Sequence, residues 1–148
     1  MEKRFEDLSF AKPEVFQKSI RGLLMTCGTR VIDGIVRGIA ESTTPTGGAQ
    51  KRNAASTIRA KGHDHPLVGV EGLLGDHGTY TKEYGERSHA VEIRLKPVRA
   101  DVGVYVQRKG YYFFDFTPWS VDQMDKLVAQ FCAKWAREIT LDRSGGGP

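Results

Sequence analysis

An α+β fold follows from where two different apolar periods fall along the chain. Steps of three and four residues govern both ends, and a strict alternation of two occupies residues 91–106. Both are buried by one small antiparallel β-sheet of three to four strands, packed on a long N-terminal helix and a C-terminal helix. A long Gly-rich central loop, residues 43–75, joins the first helix to the sheet. At 148 residues the whole chain, 1–148, reads as a single domain.

Residues 1–12 mix charged and aromatic side chains without a period and read as an N-terminal arm, loose or ordered only against a partner. Pro13 suits a first helical turn. Phe16, Ile20, Leu23, Leu24, Cys27, Val31, Ile35 and Ile39 then keep a helical period as far as Ser42. Gly22, Gly28, Gly34 and Gly38 interrupt that helix, each at a cost of about 1 kcal/mol relative to Ala. Two explanations compete: a break near Gly28, or a close approach of another helix or subunit at Gly34 and Gly38.

Ser42 to Gly48 ends helix propensity. The connector that follows carries only short apolar words, with two helical turns expected near Asn53–Ala60 and an extended Pro66–Val70. Val91, Ile93 and Leu95 alternate with charged residues as a half-buried strand. Residues 97–100 read as its turn, and Val102, Val104 and Val106 as the returning strand. A strand near Thr79–Tyr84 and an edge at Tyr111–Phe114 complete the expected sheet.

The last helix carries the clearest signals. Ser120 reads as N-cap, with Gln123 three residues on for a capping box and Trp119 with Met124 as a hydrophobic staple. Met124, Leu127, Val128, Phe131, Cys132, Trp135 and Ile139 form one apolar stripe, which marks this helix as the main wall of the core. Residues 143–148 read as a flexible tail.

Composition narrows the function. No apolar run approaches the roughly 20 residues that span a bilayer, so no membrane partner is expected. The first residues lack the apolar stretch of a signal peptide. With only Cys27 and Cys132, both on apolar helix faces, a disulfide framework is not expected, and a reducing, cytosolic origin fits. The net charge of +4 permits contact with nucleic acid or an acidic surface without demanding either.

His63, His65, His77 and His89 lack metal-ligand spacing, and Gly47-Gly48 before Lys51-Arg52 is not a P-loop. Neither a cofactor nor a metal is expected, nor an enzyme, since no nucleophile has a neighbouring base. The basic group Lys51, Arg52, Arg59 and Lys61 reads either as a solvated loop or as phosphate contacts. The aromatic run from Tyr111 to Phe116 reads as a lid on the sheet, a subunit contact, or a platform for bases.

The segments Gly48–Arg52, Thr57–Gly62, His65–Val68 and Glu71–Leu74, followed by Tyr112-Phe113-Phe114 and a Ser-capped helix from Ser120, occur in a particular order. That order resembles the virion morphogenesis and tail-completion proteins of tailed bacteriophages, over roughly residues 13–140. Glu71 stands where Thr commonly precedes the glycine, and the Arg-Pro of the terminal word is absent. The resemblance implies a structural virion protein with no chemistry of its own. It would be made in the host cytoplasm and built into the neck, as a head–tail connector ring of identical subunits, a hexamer in proteins of this kind. Its partners would be other phage neck and tail proteins, with non-specific contact to packaged DNA. Lys51, Arg52, Arg59 and Lys61 would then face the DNA channel or a partner. Gly34, Gly38, Leu67, Val68, Leu73, Leu74, Tyr112 and Phe113 would form the subunit interface, and Thr43 to Leu74 would order on assembly. A small basic nucleic-acid-binding module is the alternative.

Overall fold

The computed structural model describes residues 13–69, 72–73, 80–95 and 97–145. Along the chain these form α1 (Pro13–Glu41), α2 (Ala55–Lys61), β1 (Val68–Gly69), β2 (Gly72–Leu73), β3 (Tyr80–Gly85), β4 (Ala90–Leu95), α3 (Pro97–Arg108) and α4 (Pro118–Gly145). The class is α+β. Among the described residues the strands make two separate two-stranded antiparallel sheets, β1–β2 and β3–β4, in place of the single sheet of three to four strands that the sequence predicts.

Helix α1 is continuous over 29 residues, so Gly28 does not break it. Gly28 and Gly34 are notches for the chain's own elements. A Cβ at Gly28 would stand 2.8 Å from Val91 Cγ1, where the β3–β4 hairpin lies on the helix. A Cβ at Gly34 would stand 2.5 Å from Thr117 Oγ1 and 3.0 Å from Ser120 Cβ, at the start of α4. Further along, Phe16 meets Trp135 edge to face at 4.8 Å and Phe131 at 6.0 Å. The early part of α1 therefore faces the later part of α4, and the two helices run antiparallel.

The buried core belongs to α1, not α4. Val31, Ile35 and Ile39, at steps of four, close on Leu67 and Phe113. The expected main wall, α4, is only half covered. Met124, Leu127, Phe131 and Trp135 are partly buried, whereas Val128 and Cys132 lie exposed. A helix has room for two apolar stripes, and only the one facing α1 is used here.

Helix α1 ends in a Schellman motif. Ser42 takes the left-handed conformation (φ 53°), its N–H donates to Ile39 O, and Thr43 N–H donates to Gly38 O at 2.8 Å. The start of α4 sits three residues earlier than the sequence reading placed it. Thr117 is the N-cap, Pro118 holds the first helical position and Ser120 is the third. Ser120 N–H donates to Thr117 Oγ1 (3.2 Å) and Thr117 N–H to Ser120 Oγ (2.9 Å), a reciprocal capping box without Gln123. Phe116 and Val121, rather than Trp119 and Met124, then hold the staple positions. Trp119 instead lies under the Arg37 guanidinium at 4.7 Å.

Hairpin β3–β4 matches its expected alternation. Val91, Ile93 and Leu95 turn inward, and Glu92 and Arg94 outward, with Tyr80 paired to Leu95 and Gly85 to Ala90. The returning strand is overturned: residues 97–108 are helix α3. Proline at the first turn removes a donor that a strand needs and a helix does not. Gly103 lets α3 lie on β4, since a Cβ there would stand 2.7 Å from Leu95 Cδ1. Tyr111 to Phe114 form no edge strand; the backbone N–H groups of Phe113 and Phe114 donate to Gln107 Oε1 instead.

The connector is not an open loop. It turns back at Thr44–Gly48, bridges Thr43 to Ala49, forms α2 and inserts Leu67 into the core. Gln50, only 7% exposed, ties it down by donating from Nε2 to Thr43 O and to Tyr112 O. Of the stretch expected to order on assembly, residues 43–69 thus make these contacts within one subunit. The expected arm, residues 1–12, lies outside the described residues, as does Leu74. Of the expected tail, residues 143–145 belong to α4 and the remainder lies outside the described residues.

Candidate binding cleft

The connector and α3 enclose a cleft of about 510 Å³. Its floor is apolar, from Leu67, Val68, Val102 and Val106. Its rim carries Lys51, Lys61 and Lys109 together with Tyr105 and Tyr111, and among the described residues no acidic one lines it. Two of the lysines lie over aromatic faces: Lys51 Nζ is 5.7 Å from the Tyr111 ring centre and Lys109 Nζ 5.4 Å from that of Tyr105. Such pairs hold cations at a fixed place while leaving their charge open to solvent.

Local structure explains how the rim is held. The short helix α2 ends at Gly62 in the left-handed conformation (φ 78°), with its N–H donating to Ile58 O, so the chain reverses toward Leu67. Lys61 Nζ donates to His65 O (2.9 Å) and Pro66 O (3.4 Å), which stitches that reversal closed. Partial burial pushes the Lys61 ammonium below its ordinary range, and the nearby Asp64 carboxylate opposes that. Tyr111 hydroxyl donates to Arg52 O (3.2 Å), joining the end of α3 to the connector.

Of the four basic residues singled out in the sequence, two line this cleft. Lys51 and Lys61 come together there; Arg52 pairs with Asp64 (3.2 Å), and Arg59 stands exposed on α2. The residues expected at a subunit interface scatter. Leu67 and Phe113 are core, and Gly34 is filled by the Thr117–Ser120 cap. Gly38 faces Thr43, Val68 pairs with Leu73 and borders the cleft, and Tyr112 is exposed. Tyr105 and Lys109 went unnoticed because residues 102–106 read as a strand. The spacing of Val102, Tyr105, Val106 and Lys109 is the helical signal that could have found them.

The histidines make local contacts. His65 Nδ1 lies 3.3 Å from Ser42 Oγ, His63 Nδ1 accepts from His65 N–H, and His89 Nδ1 lies 2.7 Å from Tyr84 Oη; His77 lies outside the described residues. Among the described residues no three His, Cys, Asp or Glu side chains converge as a metal site, and no helix is long and apolar enough to cross a membrane.

No protein family, no curated protein and no solved structure matches the chain. What the cleft offers is non-covalent: positive charge at a rim, aromatic faces, and an apolar floor.

Proposed function

We propose that the protein is a structural component of a tailed-bacteriophage virion, a tail-completion or neck protein whose copies close into a ring between the tail and the DNA-filled head. The order of sequence words over residues 13–140 supports this reading. So does one structural observation above the rest, the second apolar stripe on α4. Val121 (42% exposed), Val128 (44%) and Cys132 follow one another at steps of seven and four, with Phe116 (57%) beside them at the start of the helix. A lone subunit leaves this stripe in water, and a neighbour that covers it recovers about 25 cal/mol for each Å² of apolar surface. Ring closure requires a head-to-tail contact, in which this stripe meets a different surface of the next copy. Electron micrographs of the purified chain test the reading. Closed rings of uniform diameter are expected, and a field of isolated small particles at every concentration contradicts it.

The lysine–tyrosine pairs favour a second reading, a small basic module that binds single-stranded nucleic acid. Bases would stack on Tyr105 and Tyr111 while Lys51 and Lys109 meet phosphates. Binding of mixed-sequence DNA at two salt concentrations separates the two. Tight and steeply salt-dependent binding by the isolated chain supports the module.

A further inference from the structure

We infer that the cleft between the connector and α3 is a binding site for a small anionic amphiphile, a single carboxylate on an aliphatic chain. The inference does not depend on whether copies of the chain assemble.

Charge is the first support, and it holds beyond the lining itself. The two walls, residues 51–68 and 101–111, carry six basic and two acidic residues. Their net charge equals the +4 of the whole chain, so the basic excess of the protein resides in the walls of this cleft. Such a concentration of one sign draws in anions. Within the walls, Arg52 is taken by Asp64 at 3.2 Å, and Lys61 donates to His65 O and Pro66 O. Lys51 and Lys109 are left, both exposed and neither in an ion pair among the described residues.

Geometry is the second support. Tyr111 gathers the two free lysines: its ring lies 5.7 Å from Lys51 Nζ, and Lys109 stands two residues before it in the chain. On α3, Val102, Val106 and Lys109 follow one another at steps of four and three. Two apolar side chains and one ammonium therefore share a helix face about 10 Å long. Leu67 and Val68 supply further apolar lining from the connector, and Val102 is 48% exposed, so apolar surface stands in water here. An aliphatic chain laid along this face covers the valines while its carboxylate meets Lys51 and Lys109. The volume of about 510 Å³ lies inside the roughly 300–1,000 Å³ of ligand sites.

The lining also separates this ligand from a phosphate. Among the described residues no arginine lines the cleft, so the guanidinium fork that grips phosphate is missing and only point charges remain. A nucleic-acid strand would use the lysines and leave Val102 and Val106 uncovered.

Calorimetric titration of octanoate into the full chain near neutral pH tests the inference. A dissociation constant of about 1 mM or tighter is expected. Hexanoate should bind roughly tenfold or more weakly, because each buried methylene is worth about a factor of four. Octan-1-ol, which keeps the chain and lacks the charge, should bind about tenfold more weakly than octanoate. The double variant Lys51→Gln, Lys109→Gln is expected to erase the preference for the acid over the alcohol. Val102→Ser is expected to weaken both ligands alike, and Val128→Lys, on the apolar stripe of α4, to weaken neither. All four positions are exposed, and far-UV circular dichroism checks that each variant is folded. No saturable binding of octanoate in the millimolar range overturns the inference, as does a preference for the acid that survives the lysine double variant. Binding lost in Val128→Lys but kept in Val102→Ser overturns it by moving the site to α4. An oligothymidylate that binds where octanoate does not overturns it in favour of nucleic acid.

Discussion

Gly34 of α1 lies against Ser120 of α4 so closely that a Cβ on the glycine would stand 3.0 Å from the serine's own and 2.5 Å from Thr117 Oγ1. Ser120 has no exposed surface, and Thr117 Oγ1 is held as the cap acceptor for its N–H, so neither can step aside cheaply. Gly34→Ala is therefore expected to destabilise the fold by about 1–3 kcal/mol despite alanine's better helix propensity. A Cβ at Gly22, on the same helix, meets nothing among the described residues within 4 Å. Gly22→Ala is expected to stabilise by about 1 kcal/mol, the full propensity difference. Urea denaturation of both variants checks the pair, and a gain at both sites would show that the α1–α4 notch is not close-packed.

Gln50 fastens the connector to the rest of the chain through donors alone, because its Nε2 faces two carbonyls, Thr43 O and Tyr112 O. Gln50→Glu sets a carboxylate against those carbonyls and is expected to cost about 3 kcal/mol or more at pH 7. Burial and carbonyl neighbours raise the introduced carboxyl's folded-state pKa above its unfolded value of about 4.3. Stability relative to neutral pH is thus regained below that value and lost as pH rises. Thermal melts from pH 3.5 to 7.5 read this out; a pH-independent loss would mean that the amide donors do not hold the connector.

Tyr80 stacks on Phe114 at 6.1 Å with the two rings nearly parallel, and its hydroxyl is buried without a hydrogen-bond partner among the described residues. Burial pushes the phenol well above its ordinary value. The folded state keeps its proton where the unfolded state gives it up, so this residue's contribution is complete below pH 10 and falls as pH rises beyond it. Tyr80→Phe is expected to stabilise by about 1 kcal/mol at pH 7 by removing an unpaired buried hydroxyl. It should also flatten the alkaline loss. Melting curves at pH 7 and pH 10.5 check both, and a destabilised variant at pH 7 would reveal a hydrogen bond to the hydroxyl.

The sequence carried the fold class and both long helices because their periods persist over many turns, and the β3–β4 alternation because one face is buried and the other is not. It misled at residues 97–108. Val102, Val104 and Val106 alternate like a strand, but Gly103 needs the close approach to Leu95 that a helix provides, and Pro97 suits a first turn. At Thr117–Ser120 both residues are good caps, and only the hydrogen bonds show that they act together. Within the cleft, Lys51 and Lys61 were legible as charge in a polar connector. Tyr105 and Lys109 were not, because their place depends on the element type that sequence alone misassigned. Leu67 and Phe113, expected at a subunit interface, are core. Short apolar runs do not reveal what covers them.

The proposed assembly rests on the uncovered stripe on α4, and the mass of the particle in solution tests it most directly. Sedimentation equilibrium of the purified chain, over a hundredfold range of concentration and beside its Val128→Lys variant, is the measurement. A single multiple of 16.4 kDa is expected for the unaltered chain, with dissociation of the variant at low concentration. A mass of 16.4 kDa for both chains at every concentration would contradict the proposed ring.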